Sequence, residues 1–194
     1  MATQRWQEEG CSISFRSCQL SSLSVLPNAL RQAGEAGTAV DPTDVAHLDL
    51  AENEVERVEE LHVFTKLLSV DVSHNNVDVL SRLPPSLLHL NAAYNRLESM
   101  DGVQGLSRLV ELNLSYNLLT TLQPVEHLTQ LQVLLAGGNR ISSLIGLTAL
   151  SSLELLDMRY NYVEKTSEVC ANAPADRGSS CWMYSLSGAQ GARV

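Results

Sequence analysis

Apolar residues recur along this 194-residue chain in one template, L-x-x-L-x-L-x-x-N-x-L, in which Val, Ile, Met or Ala sometimes replaces Leu. Its copies read VAHLDLAENEV (45–55), LLSVDVSHNNV (67–77), LLHLNAAYNRL (87–97), LVELNLSYNLL (109–119), LQVLLAGGNRI (131–141) and LELLDMRYNYV (153–163). The asparagines Asn53, Asn75, Asn95, Asn117, Asn139 and Asn161 stand 22, 20, 22, 22 and 22 residues apart. A period of this length fixes the architecture, because each copy buries its apolar face only by stacking on its neighbours.

Within a copy, pairs such as Leu48 and Leu50, or Leu112 and Leu114, are two apart. That is strand spacing, so both point to one face, the interior of a solenoid. The asparagine follows where the chain turns out of the strand, and its amide suits a buried ladder that satisfies the backbone of each bend. The return segments 78–86, 98–108, 120–130 and 142–152 keep an apolar residue about every three positions. This predicts 3₁₀ or single-turn helices on the outer side. The first of these segments contains Pro84-Pro85, and the copy it belongs to is two residues short, so a return without helix is expected there.

An earlier, degenerate copy places Ile13, Phe15, Cys18 and Leu20 at the positions of Leu48, Leu50, Asn53 and Val55. Cys18 is thereby expected to be a buried rung of the ladder. An insertion follows, in which 26–37 reads as a short helix ending in glycine and 38–44 as an extended link. The organisation expected is a frayed N-terminus (1–9), a degenerate first repeat with helical insertion (10–44), six repeats (45–165) and a poorly ordered C-terminal tail (166–194). The tail has almost no periodicity. Either Trp182, Met183 and Tyr184 fold back as a lid over the last repeat, or the sequence is a truncated or spliced form of a longer protein.

These residues resemble the leucine-rich repeats. The 22-residue period is similar to the intracellular subclass that includes the nuclear regulator of phosphatase 1, the axonemal dynein light chain with repeats and the spliceosomal A-prime protein. The resemblance covers roughly residues 10–165. It implies an α/β fold: a right-handed leucine-rich repeat solenoid with a concave parallel sheet and a short 3₁₀ or helical convex side. In that subclass proline often follows the last asparagine, ahead of a capping helix; here Tyr162 follows Asn161 and no such helix is evident.

Composition narrows the function. A net charge of −9 and a pI near 4.9 argue against a phosphate-binding surface, so no direct contact with nucleic acid is expected. No apolar run approaches 18 residues, which predicts no membrane span. The first residues lack a basic and an apolar region of the signal-peptide kind. Cys11, Cys18, Cys170 and Cys181 form no flanking cluster and read as free thiols in a reducing compartment. The expected location is cytoplasmic, with the cytoskeleton, the cilium and the nucleus as alternatives.

Four columns of residues are expected to point out of the sheet. One column holds His47, Ser69, His89, Glu111, Val133 and Leu155; the next holds Asp49, Asp71, Asn91, Asn113, Leu135 and Asp157. A third holds Ala51, Ser73, Ala93, Ser115, Gly137 and Arg159, and the last holds Glu52, His74, Tyr94, Tyr116, Gly138 and Tyr160. The N-terminal half is acidic and histidine-bearing. The C-terminal half has aromatic anchors, an aliphatic floor and a dent expected at Gly137-Gly138, which together fit an interface hot spot. The candidate partner-binding residues are Tyr94, Tyr116, Tyr160, Val133, Leu135, Leu155, Arg159, Glu111, Asp49 and Asp71.

Catalytic signals are missing. There is no G-x-S-x-G, Walker loop or H-E-x-x-H. His47 and His89 share a column but stand two strands apart, about 9–10 Å, too far to share a metal. The chain is therefore read as a non-catalytic protein-interaction scaffold or regulatory module without cofactors, binding a protein partner on its concave face. A phosphatase-1 regulatory subunit and an RNP assembly factor are the alternatives; oligomeric state is left open.

Overall fold

The computed structural model describes residues 11–32, 40–163 and 182–184. Eight strands form one parallel sheet in which each pairs with its neighbour in sequence. They are β1 (Cys11–Ser14), β2 (Val45–Asp49), β3 (Ser69–Asp71), β4 (His89–Asn91), β5 (Glu111–Asn113), β6 (Val133–Leu135), β7 (Leu155–Asp157) and β8 (Trp182–Tyr184). The strands run parallel because every coil passes through strand, bend and return in the same sense. Register aligns Leu48, Val70, Leu90, Leu112, Leu134 and Leu156 in one buried row. Each such side chain contributes about 1.5–3 kcal/mol of burial, enough to override the weak strand propensity of leucine.

The returns close the core from the other side. 3₁₀ helices occupy Glu59–Val63, Asp101–Val103, Gln123–His127 and Leu147–Ala149, and the return that holds Pro84-Pro85 has none. Leu61, Val103 and Val125 are the residues these turns send inward. The return at Gly102 is so close to its neighbour that a Cβ there would lie 1.5 Å from the Leu80 carbonyl oxygen. In the insertion, α1 (Leu26–Gln32) buries Leu26 and Leu30, one turn apart. Asp41 accepts the Thr43 N–H at 2.9 Å, and with Pro42 next to it starts the 3₁₀ turn that leads into β2.

The asparagine ladder is built as the spacing implies. Asn117 Nδ2 donates to the carbonyls of Ala92 (2.9 Å) and Leu114 (3.0 Å), while its Oδ1 accepts the Leu97 N–H at 3.0 Å. Asn75, Asn95 and Asn139 repeat this set, each touching its own bend and the coil before it. A buried amide thus satisfies backbone groups that no strand partner reaches.

One expectation for the ladder fails. Cys18 is exposed, and its thiol lies 3.5 Å from its neighbour Arg16's carbonyl oxygen. It belongs to the first coil, with no earlier coil among the described residues to lie against; Asn53 reaches back to its N–H instead, at 3.0 Å. At the other end, the backbone of Trp182–Tyr184 runs alongside β7 as the last strand, with Met183 in register with Leu156. The expected frayed residues 1–9 and the rest of the tail at 166–194 lie outside the described residues. Among the described residues, no helix is long and apolar enough to cross a membrane.

Candidate functional site

Burial alternates along β3 to β7, with the central residue buried and its neighbours half-buried. The half-buried residues make up the outer face of the sheet, in the columns the alignment defines. In the first column His89 Nδ1 lies 3.1 Å from Glu111 Oε2. Burial holds the His89 imidazole below its ordinary value; the Glu111 carboxylate opposes that shift and His47 adds to it. The Nδ1 of His47 is buried and unpaired among the described residues.

The second column has a structural duty besides facing outward. Asp49, Asp71, Asn91, Asn113 and Asp157 each accept, through Oδ1, the backbone N–H two residues on, at 2.8–3.2 Å. This is the Asx-turn bond, and it closes the strand into the bend. Asp49 and Asp71 also commit their second oxygens, to Ser14 and Asn91. Leu135 occupies the same position in the sixth repeat and has no acceptor to offer. Gly137 N–H, which the bond would satisfy, makes no hydrogen bond among the described residues.

The bend column is aromatic and left-handed. Glu52, His74, Tyr94, Tyr116 and Tyr160 all have φ between 55° and 59°, and Gly138 has φ 70°. This conformation fans the side chains along one edge at the strand spacing, so they stack. His74 and Tyr94 rings lie 4.3 Å apart at 11°, and Tyr94 and Tyr116 lie 4.4 Å apart at 13°. Burial in this stack raises the Tyr94 hydroxyl above its ordinary value, helped by Tyr116. At the head of the column, hydrogen bonds from Ser17 and then Arg16 hold Glu52 below the usual carboxylate range.

The anticipated dent at Gly137-Gly138 is not empty. A Cβ built on Gly138 would stand 2.7 Å from Cδ1 of Tyr116, so that ring leans into the space the glycine leaves. Backbone conformation alone does not demand glycine here, since five other residues hold nearly the same φ. The ring contact does.

Charge on this face is largely settled internally. The Arg159 guanidinium grips Asp157 at 2.9 and 2.6 Å. Burial pushes the Asp157 carboxyl up, but the Arg159 bonds outweigh it and hold the group below the ordinary value. What is left open is apolar: Val133 is in register with Leu155, and Leu135 follows one alternation along β6. Tyr94 and Tyr116 are 46% exposed and Tyr160 62%, which makes their rings accessible for contact. Tyr160 does not join the stack; it stands two rungs from Tyr116 with Gly138 between. Among the described residues no cluster of His, Cys, Asp and Glu is arranged to hold a metal ion, and Cys11 and Cys18 are free thiols. The Asx column was readable in advance, from Asp or Asn recurring four positions before the ladder asparagine.

No family model matches the chain. A 135-residue stretch is 30% identical to the protein phosphatase 1 regulatory inhibitor subunit PPP1R7 homolog of Arabidopsis thaliana, covering 64% of this chain and 40% of that protein. Among solved structures, an internalin of Listeria monocytogenes superposes with a TM-score of 0.66 at 27% identity, covering 77% of this chain and 41% of its own. Internalin C2 of the same organism gives 0.56 at 23% identity, covering 76% and 79%, a likeness of fold alone.

Proposed function

We propose, from the premise that the chain is a leucine-rich repeat protein, that it is a non-catalytic interaction module that holds a protein partner on the concave face of its sheet. The observation that carries this is the C-terminal half of the outer face. Half-buried Val133, Leu135 and Leu155 adjoin one another there, beside the exposed rings of Tyr116 and Tyr160. Adjacent aliphatic and aromatic side chains without unbalanced charge are what a hot spot requires, whereas scattered exposed leucines are not.

The partner we favour is the catalytic subunit of protein phosphatase 1. The 30% identity to a relative named as a regulatory inhibitor subunit of that enzyme supports it. Asp49, Glu52, Asp71, Tyr94, Glu111 and Tyr116 are the column residues that would meet it. We place the module in the cytoplasm, at the cytoskeleton or cilium; a tagged chain confined to the nucleus would overturn that placement and favour the RNP alternative.

The test is capture of purified phosphatase 1 catalytic subunit by the immobilised full chain. Tyr116→Asp and Leu135→Asp are expected to weaken it at least tenfold while circular dichroism stays unchanged. Undiminished capture by both variants would remove the concave patch from the proposal. Failure of the unmodified chain at micromolar concentration would remove the phosphatase.

A further inference from the structure

The stack has two ends, and the first is left half built. In the coils that follow, the second-column residues turn their carbonyls toward the strand before. Asp49 accepts the Phe15 N–H at 2.7 Å, Asp71 that of Leu50 at 2.7 Å and Asn91 that of Val72 at 2.8 Å; Asn113, Leu135 and Asp157 repeat the pattern. In β1 the outward residues are Ser12 and Ser14, in register with His47 and Asp49. No strand precedes β1 among the described residues, so the backbone groups of these two serines face an open edge. They stand two residues apart, about 6.5–7 Å along the strand. The apolar row behind the edge is unfinished too: Ile13, Phe15 and Leu20 are half-buried, whereas their equivalents Leu48, Leu50 and Val55 are buried.

We propose that β1 is a docking edge for an extended, basic segment of another protein, which joins the sheet as one further strand. Its backbone pairs with Ser12 and Ser14, its alternate apolar residues lie over Ile13 and Phe15, and its cations reach the head of the outer face. Only an extended backbone offers donors and acceptors at this repeat, with side-chain alternation setting the specificity. The preference for cations follows from charge. Asp49, Glu52 and Asp71 gather at this end, and Arg16 answers the first two, so negative charge is in excess. A second copy of this chain would bring its own net charge of −9 against that end, which disfavours self-pairing. Bulges often blunt an edge of this kind. Here the irregularity falls between Cys11 and Ser12, and the register is regular from Ser12 onward. The surface lies apart from the aliphatic patch of β6 and β7, so this inference does not rest on the phosphatase reading.

The experiment titrates the full chain, isotopically labelled, with the acetylated and amidated peptide Lys-Val-Lys-Val-Lys-Val, reading the Ser12 and Ser14 amides by NMR and by hydrogen exchange. Saturable downfield shifts and slowed exchange are expected at both amides. The counterpart with Glu in place of Lys should bind at least roughly tenfold more weakly, and a counterpart N-methylated at alternate residues should give neither effect. Ser14→Pro removes an edge donor while leaving the bonds of Ile13 and Phe15 to β2 in place; it should abolish the response, whereas Ser14→Ala, which keeps the donor, should retain it. Tyr116→Asp should bind the peptide as the unmodified chain does, which separates this edge from the concave patch. Equal binding of the N-methylated peptide, or an undiminished response in Ser14→Pro, would overturn the proposal. So would protection of both amides before any peptide is added: in a monomer it would assign the edge to the chain's own residues 1–10, and in a dimer to a second copy.

Discussion

An asparagine in a ladder is worth more than its own hydrogen bonds, because its loss strands a backbone N–H that only it serves. Asn117→Ala leaves the Leu97 N–H buried without a partner, while the Ala92 carbonyl keeps only the Asn95 amide, so a loss of about 2 kcal/mol is expected in urea unfolding. Asn161, half-buried at the end of the last repeat, should cost closer to ~1 kcal/mol on the same substitution. A second residue-scale effect concerns His89. Its proton affinity in the fold lies below the ordinary value of 6.5, chiefly through burial, with Glu111 and His47 as the charged groups facing it. The unfolded chain therefore takes up the proton first as pH falls. The stability that neutral His89 contributes is full above pH 6.5 and drains away as pH drops toward the folded value. Melting temperature followed from neutral to mildly acid pH should fall less steeply in His89→Gln than in the unmodified chain.

Among the elements, the strands and their inward rows were legible from sequence because a period of two inside a period of 22 leaves little freedom. The 3₁₀ returns, and their absence at Pro84-Pro85, followed from spacing and from proline's missing donor. The outer columns were legible as positions but not as roles. Asp49 and Asp71 looked available for a partner, yet each first serves its own bend, and a preference for Asp or Asn says nothing about which oxygen stays free. Cys18 was read by analogy with asparagine, although burial of a rung depends on an earlier coil and not on the residue. The tight return at Gly102 likewise reports a neighbour, Leu80, that lies one coil back in the stack. Gly102→Ala is expected to destabilise by about 3 kcal/mol, since the obstructing atom is backbone and has nowhere to go. Gly105→Ala, with nothing within 4 Å, should stay within about 0.5 kcal/mol. Side-by-side denaturation of the pair checks the contrast.

The molecule as a whole is a one-dimensional stack in which each coil meets only its neighbours. The ladder adds direction to that stack: every asparagine bonds to its own bend and to the coil before it, never to the one after. Held by its two ends and drawn out under force, such a chain has no single latch to break. Coils should peel away one at a time, and each 22-residue unit should release about 70–80 Å of slack. An optical-trap trace showing a regular staircase would express that graded yielding, whereas one abrupt rip across all six repeats would show the stack failing as a block.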